Sequence, residues 1–425
     1  MIDLFIIADD FTGALDTGVQ FAARGVPTRV VTNPRADLAS AGAGARVLVM
    51  DAETRHLSPL QAYETVHRAV TQAMALGVKY VYKKTDSALR GNIGAELTAV
   101  LNATGCRALP FLPAFPRIGR TTRGGVHYVD GLPVAQGVFG RDPFEPVMES
   151  NVERLIHLQC GTPVRSFGAN PGAEALAGAE GLLVIDAQSD DDLMNAGRTL
   201  QRAGLMRVSA GCAGFGAVAQ ELLGLAGGEA PGVPKMDGGL LVICGSVNPI
   251  TLRQLDCAEA AGFSRMRMSC EQKMTPGWFD GEEGQALLAH WRRALRSSPW
   301  CVIDANDAQG EEETTVWAAE RGISVEGIRT RISGALGDIL AQLFDDIPGT
   351  LLITGGDTLL QCMERLGVDQ LEPVAEVFPG VVLSRFRRDG VERMVISKSG
   401  GFGGETLLLD LKAMIDEQAP VASAE

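Results

Sequence analysis

Asp9 and Asp10 stand side by side at the end of a short apolar run, with Phe11-Thr12-Gly13 directly after them. Ile2 to Ile7, Asp3 apart, read as a buried strand, and Gly13 to Arg24 as a helix that Gly25 can end. The two carboxylates therefore fall where a strand gives way to a helix, the edge at which open α/β sheets bind ligands. Two acids there, beside a hydroxyl and a glycine, suit a polyhydroxylated ligand or the removal of a hydroxyl proton. The plainer reading is an N-capping aspartate with a solvated neighbour. On these residues alone both readings stand.

A second polar cluster, Lys83-Lys84-Thr85-Asp86-Ser87 with Arg90, also follows an apolar run directly, and Arg55 closes a third such loop after Asp51. A carboxylated ligand needs a cation or a two-pronged guanidinium, and its hydroxyls need Asp, Thr or Ser partners. Asp9, Asp10, Arg55, Lys84, Asp86, Ser87 and Arg90 together would make a pocket for a small sugar acid, whereas a solvated loop with a helix cap at Asp86 or Ser87 is the bland alternative. Arg117, Arg120 and Arg123 place three guanidinium groups in a Gly-containing loop that either meets an anion or covers a sheet edge.

In the second half of the chain, glycine-rich turns follow strands. Gly355-Gly356-Asp357-Thr358 opens a helix running through Leu359, Leu360 and Met363, and Lys398-Ser399-Gly400-Gly401-Phe402-Gly403-Gly404 adds exposed N–H groups and one cation. With Gly245-Ser246, these turns could hold phosphate oxygens at helix starts. Other phosphate chemistries fail on inspection. The chain has no G-x-x-x-x-G-K-[ST] loop, no early G-x-G-x-x-G and no protein-kinase signature, and the Asp9-Asp10 pair lacks the Asp-x-Asp spacing of an aspartyl-phosphate phosphatase. A sugar-acid pocket in one half and phosphate cradles in the other point to phosphoryl transfer.

The elements that must position these residues repeat one grammar: apolar run, polar or Gly-containing loop, helical period. Such alternation predicts α/β architecture, with a mainly parallel sheet covered by helices in each of two domains and the active site in the cleft between them. The breaker-rich stretch from Gly224 to Gly239 divides the chain. The expected organisation is a substrate domain at 1–228, a linker at 229–238, a nucleotide domain at 239–417 and a tail at 418–425. At 425 residues two cores are the natural expectation, and 46% hydrophobic with 21% charged residues is an ordinary globular balance. A formal net charge of −14 argues against nucleic acid and anionic membranes as partners. The eight cysteines are scattered without a C-x-x-C, no stretch reads as a secretory signal, and the longest apolar runs are strand-sized. A cytoplasmic location is the expectation.

Ala8-Asp9-Asp10-Phe11-Thr12-Gly13-Ala14, Lys84-Thr85-Asp86-Ser87, Pro113-Ala114-Phe115-Pro116 with Gly119-Arg120-Thr121, Gly355-Gly356-Asp357-Thr358 and Lys398 to Gly403 together resemble the four-carbon acid sugar kinase family. The motifs run in the family's order from residue 8 to residue 404. The resemblance implies a sugar-acid-binding N-terminal domain, a nucleotide-binding C-terminal domain, and ATP-dependent phosphorylation of a terminal 4-hydroxyl. Asp16-Thr17-Gly18-Val19-Gln20 is similar to the D-threonate kinase branch rather than the 3-oxo-tetronate kinase branch, which tends to Thr-Asp-Leu-Ala-Asn there. Leu15 and Asn248 depart from the family's usual residues. D-threonate is thus the expected substrate, with D-erythronate or 3-oxo-tetronate as alternatives and a non-catalytic sugar-acid and nucleotide sensor as the remote one.

By the same resemblance, Asp9, Arg55, Lys84, Thr85, Asp86 and Ser87 would hold the sugar acid, and Ser246, Gly355, Gly356, Asp357, Thr358 and Gly401 the ATP. Arg90 and Gly400 join them as neighbours in the same turns. Asp9 or Asp10 would act on the hydroxyl, with Mg²⁺ on the ATP phosphates. The sequence names no metal ligands, and a homodimer is compatible with it.

Overall fold

The computed structural model describes residues 2–142, 145–225, 227–229, 232–236, 238–307, 313–347 and 349–418. The chain divides into two compact units, Met1–Pro231 and Gly232–Glu425. Three residues of the expected linker (230, 231 and 237) and all but the first of the expected tail lie outside the described residues.

The first unit begins β1 (Leu4–Ala8), α1 (Phe11–Ala22), β2 (Thr28–Val31), α2 (Leu38–Ala41), β3 (Val47–Asp51), α3 (Pro59–Ala75), β4 (Tyr80–Lys84), α4 (Ile93–Thr104) and β5 (Ala108–Leu112). An antiparallel trio follows: β6 (Arg120–Arg123), β7 (Val126–Val129) and β8 (Leu132–Pro133). The alternation then resumes with α5 (Val152–His157), β9 (Val164–Phe167), α6 (Ala173–Ala177), β10 (Gly181–Ile185), α7 (Asp190–Arg202), β11 (Val208–Gly211) and α8 (Ala213–Leu222). The strand order is β2-β3-β1-β4-β11-β5-β10-β9, and every pairing in it is parallel. Helices α1, α7 and α8 pack together, as do α3, α4 and α5. With helices over both faces, β1 has no solvent side, which is why all five of its residues are buried and its apolar run does not alternate.

Register brings the loops of interest to one edge. Ala8 is paired with Asp51 on one side and Lys84 on the other, and Lys84 with Gly211. The residues after Ala8, Asp51 and Lys84 therefore emerge side by side. Local chemistry fixes the helices that follow. Asp10 is extended (φ −147°) and accepts from Gly13 N, so α1 begins at Phe11, two residues before the sequence reading placed it. At α3, Ser58 and Gln61 close a reciprocal capping box, with Pro59 in the first turn. The Arg117–Arg123 segment is not the loop its composition suggested. Its C-terminal half is strand β6, whose Arg120-Thr121-Thr122-Arg123 pairs with β7.

The second unit comprises β12 (Leu240–Cys244), α9 (Pro249–Ala260), β13 (Ser264–Arg267), α10 (Cys270–Met274), α11 (Glu282–Ser297), β14 (Trp300–Asp304), α12 (Glu313–Ala319), α13 (Val325–Leu343), β15 (Thr350–Thr354), α14 (Gly356–Arg365), β16 (Gln370–Phe378), β17 (Val381–Arg388), β18 (Val391–Lys398) and α15 (Leu407–Gln418). Its order is β13-β14-β12-β15-β18-β17-β16. Pairing is parallel from β13 to β18, and β17 and β16 are antiparallel additions. The sheet is thus mainly parallel, as the alternation predicts. The apolar runs predict β18, through Met394 to Ile396, but neither of the antiparallel strands β16 and β17. Cys244 is paired with both Asp304 and Thr354, and Thr354 with Lys398, so three glycine-rich turns leave one edge together.

Among the described residues no helix is long and apolar enough to cross a membrane. All eight cysteines are free thiols.

Candidate active site

In the first unit the structure brings Asp9, Asp10, Arg55, Lys84, Asp86 and Arg90 into one network. Arg55 is its hub. Its Nε and Nη2 grip Asp9 Oδ2 at 2.8 and 2.7 Å, and Nη2 also lies 2.9 Å from Asp10 Oδ1 and 3.5 Å from Asp86 Oδ1. Arg90 returns to Asp86 at 2.9 Å and reaches Asp142 at 3.4 Å, with its guanidinium over the Phe139 ring. Asp86 also accepts from the backbone of Ala88 and Arg90, which folds the 86–90 turn around its carboxylate and leaves it no cap to make. Three carboxylates face three cations, so the fixed charge of the cluster nearly cancels.

The adjacent acids differ in employment. Asp10 Oδ1 caps α1 through Gly13 N (3.1 Å), and Oδ2 accepts from Thr12 Oγ1 (2.8 Å). Asp9 is 2% exposed, and its Oδ1 has no hydrogen-bond partner among the described residues. Lys84 Nζ lies 4.0 Å from that oxygen and donates no hydrogen bond among the described residues. A donor-rich ammonium and an acceptor-only oxygen thus face each other just beyond bonding reach. Gly13 makes the approach possible, because a Cβ there would fall 2.4 Å from both Lys84 Nζ and Asp10 Oδ1.

Burial pushes the Asp10 carboxyl up, but the Arg55 and Lys84 charges outweigh it and hold it below its ordinary range. Asp86 is driven well down in the same way, burial being overcome by Arg90 and Arg55. Lys84 is raised: burial opposes its charge, and Asp9 and Asp10 more than restore it. Thr85 is buried with Oγ1 unpartnered among the described residues, its N–H donating to Gly211 O at 2.9 Å, and Ser87 is half-buried with its carbonyl bonded to His127.

Several groups here escaped the sequence reading. Lys83 does not join the cluster with Lys84. It turns to the opposite face of β4 and pairs with buried Glu96 at 2.7 Å. Burial raises the Glu96 carboxyl against the pull of Lys83. Asp51, fully buried at the end of β3, is pushed well above the usual carboxylate range by burial and then by Glu53. Glu53 (φ +46°) and Leu89 (φ +65°) hold left-handed backbone in the loops after β3 and β4, a strain that gathers at functional sites. The Arg segment is already engaged: Arg117 with Asp190, Arg120 with Asp130, and Arg123 over the Tyr128 ring.

In the second unit the three turns interlock. A Cβ on Gly245 would lie 2.1 Å from Thr358 Oγ1, and one on Gly400 would lie 2.4 Å from Ser246 Oγ. Gly355, at φ +103°, precedes α14 and donates to Lys398 O at 3.2 Å. Ser246 and Gly400 thus come together with Gly355, Gly356 and Thr358, and Gly401 follows in the same turn. Asp357 is bonded to Arg329 of α13. Behind Ser246, Asn306 Nδ2 donates to its carbonyl (3.3 Å) and to buried Asp304 (2.7 Å), which Arg265 pairs at 2.7 Å. Lys398 is not the free cation that its turn suggested. Its buried ammonium is spent on Thr251 Oγ1, Ser399 O and Gly400 O at 3.0 to 3.2 Å, and burial pushes it down to about 8.

Residues 4–219 match the model of a sugar-binding N-terminal domain, and residues 241–408 that of a nucleotide-binding C-terminal domain. A D-threonate kinase of Salmonella typhimurium is 30% identical over 97% of this chain and 98% of its own. The chain belongs to the four-carbon acid sugar kinase family. Other members of this kinase family align nearly as fully. A D-erythronate kinase of Heliobacterium modesticaldum is 27% identical over 96% of this chain and 95% of its own, and a 3-oxo-tetronate kinase of Pseudomonas fluorescens 28% over 94% of each. A solved structure from Salmonella typhimurium, provisionally described as a tRNA synthase, superposes with a TM-score of 0.76 at 20% identity over 97% of this chain and all of that one. At that identity the likeness bears on the fold alone.

Proposed function

We propose that this four-carbon acid sugar kinase uses ATP to convert D-threonate to 4-phospho-D-threonate. The observation that carries the reading is the facing pair Asp9 Oδ1 and Lys84 Nζ, 4.0 Å apart and each without a hydrogen-bond partner among the described residues. A substrate hydroxyl entering there would donate to the carboxylate and accept from the ammonium. In the reaction the 4-oxygen bonds to the γ-phosphorus, the bond from phosphorus to the ADP oxygen breaks, and the hydroxyl proton passes to Asp9. Asp10, committed to the helix cap, holds Arg55 and Asp9 in place. Arg55, Lys84 and Arg90 would orient the substrate carboxylate by donating hydrogen bonds, and Thr85, Asp86 and Ser87 bind or position its hydroxyls.

Phosphoryl transfer is mostly positioning and charge neutralisation. The turns at Ser246, Gly355–Thr358 and Gly400–Gly401 would present their N–H groups to the ATP phosphates, packed so closely that a Cβ at Gly245 or Gly400 would collide with Thr358 Oγ1 or Ser246 Oγ. Mg²⁺ would supply charge neutralisation on those phosphates. Among the described residues the three-ligand cluster with metal-like spacing is Cys270, Asp307 and Glu313. It does not suit Mg²⁺, since the thiol is a soft donor and Asp307 is already bonded to Lys273 and Thr314. The metal would therefore arrive on the nucleotide. In this reading residues 1–228 form the substrate domain, 229–238 the linker, 239–417 the nucleotide domain and 418–425 the tail. The eight free thiols and the need for ATP support a cytoplasmic enzyme.

D-erythronate or 3-oxo-tetronate is the second reading, favoured by the relatives that act on those acids. A panel of the three acids with ATP, read by ADP release and phosphorus NMR of the product, separates them. D-threonate should give the highest kcat/KM. Asp9→Asn should lower kcat about 100-fold or more, whereas Asp10→Asn, which can still cap, should lower it less. Turnover of none of the acids would sink the kinase reading, and equal near-wild-type rates for both variants would remove Asp9 from the proton transfer.

A further inference from the structure

We propose that His127 is a positioning residue that clamps the substrate loop through the Ser87 carbonyl; the consequence for substrate binding rests on the functional reading above. His127 lies on β7, outside every motif that carries the family resemblance, and its side chain is fully buried. Its Nε2 lies 2.9 Å from Ser87 O, and its Nδ1 lies 3.1 Å from Thr122 Oγ1. A carbonyl only accepts, so Nε2 carries the proton and donates. The bare Nδ1 then accepts from the Thr122 hydroxyl, which faces His127 across the β6–β7 pair. The Ser87 carbonyl thus sets the tautomer, and the Thr122 hydroxyl, free to turn as donor, satisfies the nitrogen left bare. Burial pushes the imidazole down to about 4, against the stabilising bond to Ser87, so the ring is neutral in this role near pH 7.

The clamp has a firm base. The turn between β6 and β7 is tied to the parallel sheet by Asp186, at the end of β10, which accepts from Gly124 N and Gly125 N at 2.6 and 3.0 Å. Thr122 and Ala187 exchange two backbone hydrogen bonds, and His127 N donates to Ser150 O at 2.8 Å. The loop that is held needs holding. It carries Leu89 in a left-handed conformation that a leucine adopts only under constraint. Ser87 Oγ enters none of the hydrogen bonds among the described residues, so its direction depends on the backbone that His127 fixes. This gives the Arg-Thr-Thr-Arg strand a purpose its composition did not reveal: β6 and β7 support the loop rather than touch the ligand.

Two variants test the clamp. His127→Leu removes the donor, and His127→Gln keeps an N–H at similar reach. Amide hydrogen exchange of the 85–90 segment, measured without ligand, should rise at least tenfold in His127→Leu and stay within threefold of wild type in His127→Gln. With D-threonate as the probe, KM should rise about tenfold in His127→Leu and recover in His127→Gln, while KM for ATP stays unchanged. If His127→Leu fails to fold, Thr122→Val, which removes the donor to Nδ1 and loosens the ring, should show the same pattern at about threefold. Unchanged exchange in a folded His127→Leu, or a Gln variant no better than Leu, overturns the clamp whatever the turnover. Faster exchange in an enzyme that phosphorylates no acid would leave the clamp standing and fell the functional reading instead.

Discussion

Replacing Arg55 by Met probes the charge network directly. The side chain is 10% exposed and holds Asp9, Asp10 and Asp86 at 2.7, 2.9 and 3.5 Å. At an effective dielectric of about 20, an attraction across 2.9 Å is roughly 6 kcal/mol before desolvation. Desolvation offsets much of it, and removing one partner of a buried pair typically costs about 3–5 kcal/mol. For a unit of this size that is a fall in Tm of about 6–20 °C. The effect should carry a pH signature. Asp10 is depressed in the folded state, so it contributes stability present above its unfolded value near 3.9 and lost as pH falls through the folded value. Without Arg55 the burial of Asp10 is no longer outweighed, its pKa rises, and the variant should recover part of its stability between pH 7 and pH 5, where the wild-type group contributes no slope. The assay is urea unfolding at both pH values. All four tyrosines lie in the first unit and all four tryptophans in the second, so tyrosine signals and far-ultraviolet dichroism follow the perturbed unit while tryptophan emission follows the other. A loss below about 1 kcal/mol at pH 7, or a pH slope like wild type's, would refute the view that Arg55 holds these carboxylates charged.

Gly245→Ala and Gly400→Ala, whose new Cβ atoms would meet Thr358 Oγ1 and Ser246 Oγ at 2.1 and 2.4 Å, should each raise KM for ATP tenfold or more without moving KM for the acid. Steady-state kinetics in both substrates checks this. Lys83→Met and Glu96→Leu should each destabilise by about 3–5 kcal/mol, and the double variant should return to within about 1–2 kcal/mol of wild type, because an apolar pair leaves no buried charge. A urea double-mutant cycle decides. Lys398, at about 8 in the folded chain and near 10.4 unfolded, leaves the unfolded chain binding more protons between those values. It therefore adds stability as pH rises through that window. Lys398→Met should remove that part of the slope, read as Tm from pH 8 to 10.

The strand ends were legible because both units are built from apolar runs that stop at polar or glycine turns. The grouping of the candidate residues was legible because parallel register brings those turns to one edge. What escaped had physical reasons. Arg120-Thr121-Thr122-Arg123 is too polar to resemble a strand, and only its pairing with β7 makes it one. Lys83 and Lys84 look alike in sequence. Strand alternation sends them to opposite faces and could have separated them. His127 is a lone histidine whose meaning lies in two partners at separations of 5 and 40 residues. The division between Asp9 and Asp10 depends on backbone dihedrals: the extended conformation of Asp10 makes it the cap.

The near-cancellation of charge around Arg55 bears on how a catalytic cycle would end. For the proposed reaction the acid enters as a monoanion and leaves carrying a phosphate as well, at close to three negative charges near pH 7. A pocket whose guanidinium and ammonium groups are already matched by its own carboxylates has no surplus with which to retain that product. The acids that organise the site would thus also expel what is made there, so that turnover draws its exit step from the same electrostatics that shape the entrance.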